Sequence, residues 1–110
     1  MVDYIPKQKD IVWINFNPAK GHEQKGKRPA LVVSNSSYNE KTGLFLACPI
    51  TKKKKGYPFE VKIEGENVEG VVLSDQIKCL DWKSRGVSFA QKTKESIFKE
   101  VKENLSLLID

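Results

Sequence analysis

The spacing of the apolar residues changes once along this chain, and that change constrains the fold more than any motif. Between Ile11 and Leu80 the apolar positions recur mostly at every second residue. Val12, Ile14 and Phe16 share one face of the segment from Ile11 to Phe16, while Phe59, Val61 and Ile63 alternate with Glu60, Lys62 and Glu64. This is the pattern of strands with one face in a core. The segments Ala30 to Ser34, Leu44 to Ile50, Gly70 to Leu73 and Gln76 to Leu80 are rich in Val, Leu and Ile and bounded by turn residues, so they read as further strands. Six short strands in about seventy residues predict a small antiparallel sheet that must curl or close. From Thr93 the spacing lengthens to that of a helix: Ile97, Val101, Leu105 and Leu108 form a stripe flanked by Phe98 and Ile109. Thr93 is the expected N-cap, with Glu95 in the first turn. The predicted fold is mainly β or α+β, a compact β-barrel closed by a C-terminal amphipathic helix.

A chain of 110 residues without internal repeats or composition breaks reads as a single domain over 1–110, with enough length for one core. The longest apolar run, Leu44 to Cys48, is far shorter than the ~20 residues of a membrane helix. The N-terminus carries Asp3, Pro6, Lys7, Lys9 and Asp10 and no apolar stretch of the signal-peptide kind, so the expected location is the cytoplasm. In a reducing compartment Cys48 and Cys79, both in apolar stretches, read as core thiols rather than a disulfide. Trp13, Phe16, Phe45, Phe59 and Phe89 read as core aromatics before base-stacking platforms, with Trp13 a core or dimer contact ahead of RNA stacking.

Charge is unevenly placed. The net +5 conceals two short segments, Asn17 to Arg28 and Thr51 to Tyr57, which together hold eight bases against one acid, while the rest of the chain is slightly acidic. Focused basicity suits a polyanion such as nucleic acid, while the four-lysine run taken alone reads equally as a solvated loop that keeps the protein soluble. Both segments also read as connections between strands, and the first is much longer than a hairpin requires, as functional loops often are.

Other chemistries find little support. His22 is the sole histidine and the two cysteines lack ligand spacing, so no metal site is expected. No GxxxxGK[ST] or GxGxxG pattern offers a phosphate cradle for a nucleotide cofactor. What remains is Gly21-His22-Glu23-Gln24-Lys25-Gly26-Lys27-Arg28-Pro29, a lone carboxylate among cations in a Gly-flanked loop. Glu23 reads either as a base acting on a bound polyanion or as a solvated partner of Lys27 or Arg28.

Trp13, the run from Asn17 to Gln24, and Arg28-Pro29-Ala30-Leu31-Val32-Val33-Ser34 together resemble the MazF/PemK family of bacterial toxin endoribonucleases. The matches continue through Tyr38-Asn39, Lys41-Thr42-Gly43, Cys48-Pro49-Ile50-Thr51, Lys55-Gly56-Tyr57-Pro58-Phe59-Glu60-Val61, Asp75-Gln76-Ile77-Lys78 and Trp82, nearest the MazF branch. The resemblance implies an SH3-like barrel, a homodimer, cleavage of single-stranded RNA (mainly mRNA), and neutralisation by a small acidic MazE-like antitoxin. Carried over by position, it places catalytic groups on Glu23, Arg28 and Thr51. Gln24, Lys55, Gln76 and Lys78 match positions near the RNA path, and Asp75 matches an acid used for catalysis or RNA contact. Some relatives carry an arginine two residues before that acid, where this chain has Leu73.

The implied reaction needs no metal or cofactor: the ribose 2′-hydroxyl attacks its own phosphate, giving a 2′,3′-cyclic phosphate and a 5′-hydroxyl. Glu23 is the expected base, Arg28 the phosphate clamp and Thr51 a hydroxyl donor, with the acid open between Arg28 and His22. Two other readings compete. A CcdB-like gyrase poison shares the fold but ends in a Trp-Gly-Ile that this chain, ending Leu107-Leu108-Ile109-Asp110, lacks. A non-catalytic RNA-binding barrel would need the basic loops but not Glu23.

Overall fold

The computed structural model describes residues 4–16 and 27–110. Seven antiparallel strands form one sheet: β1 (Asp10–Asn15), β2 (Lys27–Val32), β3 (Leu44–Thr51), β4 (Glu60–Ile63), β5 (Gly70–Leu73), β6 (Lys78–Asp81) and β7 (Val87–Lys92). Helices α1 (Ser36–Thr42), α2 (Trp82–Arg85) and α3 (Glu95–Ile109) punctuate and close it. The hydrogen-bonded order is β4-β5-β3-β2-β1-β7, with β6 pairing β3 off that path. The expected mixed fold with a terminal helix is therefore present.

The runs that are continuously apolar rather than alternating become the central strands. Ile11, Val12 and Ile14 of β1, and Ala30, Leu31 and Val32 of β2, are all fully buried, because both faces of the sheet are covered. One core joins Ile11, Leu31, Cys48, Ile50, Val61 and Val72 to Phe98 and Val101 of α3. The other joins Val12, Ile14, Ala30, Val32, Phe45 and Ala47 to Leu80 and Trp82. The turn between β4 and β5 reaches across to β7 at the other edge of the sheet. Gln91 of β7 accepts from the Asn67 and Val68 N–H groups at 3.1 Å each and donates to the Val68 carbonyl at 3.3 Å. Asn67 returns a bond to the Ala90 carbonyl at 2.8 Å. Gly65 lets the turn pass Gln91, whose amide a Cβ would meet at 2.2 Å.

Six expectations need correction. A seventh strand, β7, lies where six were predicted, and β2 begins at Lys27, inside the segment read as loop. Gln76 ends a 3-10 turn (Ser74–Gln76) instead of opening a strand. Helix α3 is capped by the backbone of Lys94, not by Thr93, which is buried. Cys79 is exposed, because it alternates with the buried Leu80 on β6, so the thiol expected in the core is Cys48 alone. Phe89 is half exposed and meets Tyr4 edge-on rather than entering the core. No helix among the described residues is long and apolar enough to cross a membrane.

Candidate active site

The pairing of β2 with β3 sets the centre of the site. Ala30 faces Pro49, Leu31 faces Cys48 and Val32 faces Ala47. Carried two positions outward, this register sets Arg28 across from Thr51, and the period of two turns both to one side of the sheet. Both line a cleft of about 510 Å³ with Trp13, Pro29, Ile50, Lys52 and Lys53. The β4–β5 turn, residues 65–69, forms the far wall and brings Glu66 and Glu69. The cleft is thus cationic on the strand side and acidic on the turn side. Trp13 is half-buried, packing against the α3-side core while lining the cleft, so it serves as core support at the edge of the site.

Thr51 is oriented by its neighbour. Its Oγ1 accepts the Lys53 N–H at 3.2 Å, which leaves the hydroxyl hydrogen free to be donated into the cleft. Arg28 is exposed at the start of β2, opposite Ile14 of β1.

A second group forms where β3 changes partners. Its first half pairs with β6, from Leu44 opposite Asp81 to Ala47 opposite Lys78, and its end pairs with β5 through Ile50 and Thr51. The 3-10 turn bridges that fork and carries exposed Asp75 and Gln76. Tyr57 donates its hydroxyl to Asp75 Oδ1 at 3.3 Å. Burial first, then the charge of Asp75, raises the Tyr57 phenol above its ordinary value, so it remains a neutral donor. Cys48 lies beneath the fork, its Sγ 3.8 Å from the Ser74 carbonyl oxygen. Lys78 is exposed at the start of β6, and Lys55 is exposed in the segment 52–57.

Of the expected site residues, then, Arg28 and Thr51 share one cleft, Asp75 and Gln76 share one turn, and Lys55 and Lys78 stand exposed on flanking segments. Glu23 and Gln24 lie outside the described residues. Nothing in the sequence marks Tyr57 or Glu60 for a role, although both fall within a matched motif. Tyr57 reads as one more aromatic, and Glu60 as the solvent side of an alternating strand. Nor does the sequence foretell the acidic turn, since Glu66 and Glu69 are distant in sequence from either basic segment.

Residues 7–109 match the family model for the PemK-like, MazF-like toxin of type II toxin-antitoxin systems. The chain is 42% identical over 106 residues to the endoribonuclease toxin MazF of Escherichia coli K12, covering 96% of each. It is 32% identical over 104 residues to the endoribonuclease PemK of Escherichia coli, covering 89% of this chain and 78% of that one. Among solved structures, MazF from Deinococcus radiodurans superposes with a TM-score of 0.86 at 46% identity, covering 97% of this chain and 98% of that one. A MazE-MazF structure from the same organism gives 0.87 at 42%, covering 97% of each chain.

Proposed function

Since the chain belongs to the PemK-like, MazF-like toxin family of type II toxin-antitoxin systems, we propose that it cuts single-stranded RNA in the Arg28–Thr51 cleft and is restrained by a cognate antitoxin. The observation that carries this reading is the cross-strand placement of Arg28 and Thr51 beside exposed Lys52 and Lys53. A planar guanidinium and a hydroxyl donor on one side of a sheet can grip two oxygens of a single phosphate, and the lysines hold the flanking backbone.

In the proposed reaction Glu23 takes the proton of the ribose 2′-hydroxyl. The oxygen attacks the adjacent phosphorus, and the leaving 5′-oxygen receives a proton from Arg28 or His22. A 2′,3′-cyclic phosphate and a 5′-hydroxyl result, without a metal. Arg28 and Thr51 act by stabilising charge on the non-bridging oxygens. Asp75, Gln76, Lys55 and Lys78, together with Gln24, line the path of the strand. mRNA as the substrate places the reaction in the cytoplasm.

A homodimer is part of the proposal. Leu46 and Cys79 face each other across β3 and β6 on the outer face, and Ile77 lies two residues before Cys79. Leu46 and Ile77 are both more than a third exposed. Asn104 of α3 bonds Ser74 at 3.3 Å, and one turn beyond it Leu107, Leu108 and Ile109 stand out in solvent. Such apolar area on a charged protein calls for a second copy. The antitoxin is expected to be an acidic segment that folds onto the basic face.

Labelled RNA and its all-deoxy counterpart, each incubated with the purified protein and EDTA, test the reaction. Cleavage confined to RNA, with cyclic-phosphate ends, is expected. Cutting of the deoxy strand would refute 2′-hydroxyl attack. Binding without products would favour the non-catalytic RNA-binding barrel, and trapped DNA gyrase the CcdB-like poison.

A further inference from the structure

The segment 52–57 carries four consecutive lysines, all exposed, and no ion pair among the described residues engages any of them. Like charges so close repel, and an untethered segment of this composition would spread them apart. Yet the segment is pinned at both ends. At its start the Lys53 N–H bonds Thr51 Oγ1. At its tip both oxygens of one carboxylate are engaged by consecutive backbone N–H groups: Lys55 N to Glu60 Oε2 at 2.8 Å and Gly56 N to Glu60 Oε1 at 2.9 Å. The Glu60 N–H in turn bonds the Tyr57 carbonyl at 3.1 Å, closing the turn onto β4. Gly56 supplies the positive φ, +82°, that presents the two N–H groups to one anion.

We propose that Glu60 is a positioning residue for the RNA-binding loop, its carboxylate fixing the backbone of Lys55 and Gly56 so that the lysines project together along the strand path. The inference rests on the endoribonuclease reading for what the loop binds. Its core is a matter of sign. Glu60 directs its charge at backbone donors and not at a lysine ammonium, so it organises the cationic surface without neutralising it. Simple electrostatics says that removing an acid beside a polyanion site tightens binding; a positioning role says that it loosens binding, because the lysines scatter.

Glu60→Gln removes the charge and one of the two accepted bonds. A second variant, Gly56→Ala, leaves charge untouched and clashes with nothing, since a Cβ there meets no atom within 4 Å, but it opposes the positive φ. Both are to be titrated with a single-stranded 2′-O-methyl oligonucleotide, which cannot be cut, across a range of salt. Amide exchange at Lys55 and Gly56 is to be measured by NMR, and KM and kcat on unmodified RNA. Expected are Kd about tenfold weaker, a salt slope lower by about one phosphate contact, faster exchange at both amides, and a raised KM with kcat little changed. Equal or tighter binding by Glu60→Gln, or unchanged exchange at the two amides, overturns the proposal. If the unaltered protein cuts no RNA, the endoribonuclease reading fails instead, and the exchange comparison still decides whether Glu60 anchors the loop.

Discussion

Cys48 illustrates how a single buried group ties stability to pH. Burial, and then the Asp75 carboxylate, push its thiol up from the ordinary 9.0 to about 12. The fold therefore favours the neutral thiol. Its contribution is complete below about pH 9 and is lost as the pH rises toward 12, because the unfolded chain releases that proton first. Unfolding free energy in this window is expected to fall more steeply for the natural protein than for Cys48→Ala, by up to about 1.4 kcal/mol per pH unit. Denaturant titrations at stepped alkaline pH would show it, and parallel slopes would exclude it. Arg28→Lys keeps the charge but loses the planar fork. RNA binding should survive while kcat drops about 100-fold or more, and single-turnover cleavage at saturating protein would separate the two. Arg28 and Thr51 were legible because a family resemblance marks them. Asn39 falls at a position of the family resemblance to which no role attaches. Fully buried, it donates to the Pro6 carbonyl at 2.8 Å and accepts from the Ser34 hydroxyl at 2.6 Å, and those partners are far apart or featureless in sequence.

At the scale of elements, legibility follows how much of a segment's pattern is set by its own neighbours. Helix α3 was readable because its stripe repeats over several turns. Its first turn was misplaced because Thr93, a good cap by type, is drawn inward, its N–H bonding the Lys9 carbonyl. Strand β7 escaped because Ser88 and Phe89 both lie exposed and only Ala90 is buried, so no alternation survives where the β1–β7 register shifts. Helix α1 has no apolar face at all. Asn35 caps it by accepting the Tyr38 N–H at 2.9 Å, and Gly43 at φ +73° ends it. Phe98 and Val101 attach α3 to the sheet, with Lys9 joining Glu95 at 2.5 Å. Phe98→Ala should cost about 3–5 kcal/mol, most of it from the cavity it leaves. Chemical denaturation would register this, and a loss below 1 kcal/mol would mean that the helix can repack.

At the scale of the whole molecule, Leu46, Ile77, Leu107, Leu108 and Ile109 leave apolar area exposed, and four consecutive lysines stand exposed in the segment 52–57. Leu46→Lys is expected to leave the fold intact, since that side chain points outward, and to shift sedimentation from dimer to monomer. A monomeric natural protein at micromolar concentration would count against the homodimer. Arg28 and Thr51 inherit their backbone separation from strand pairing, so side-chain rotation moves only the guanidinium and the hydroxyl at their ends. A slip of one residue between β2 and β3 would part Arg28 from Thr51 and turn Leu31 out of the core it shares with Cys48 in the same move. Changes at this place are therefore hard to separate from damage to the core, whereas the connecting segments can vary around the residues proposed to act from them, Glu23 and Lys55. Descendants of such a chain can drift in what they recognise while the paired strands keep Arg28 and Thr51 in one cleft.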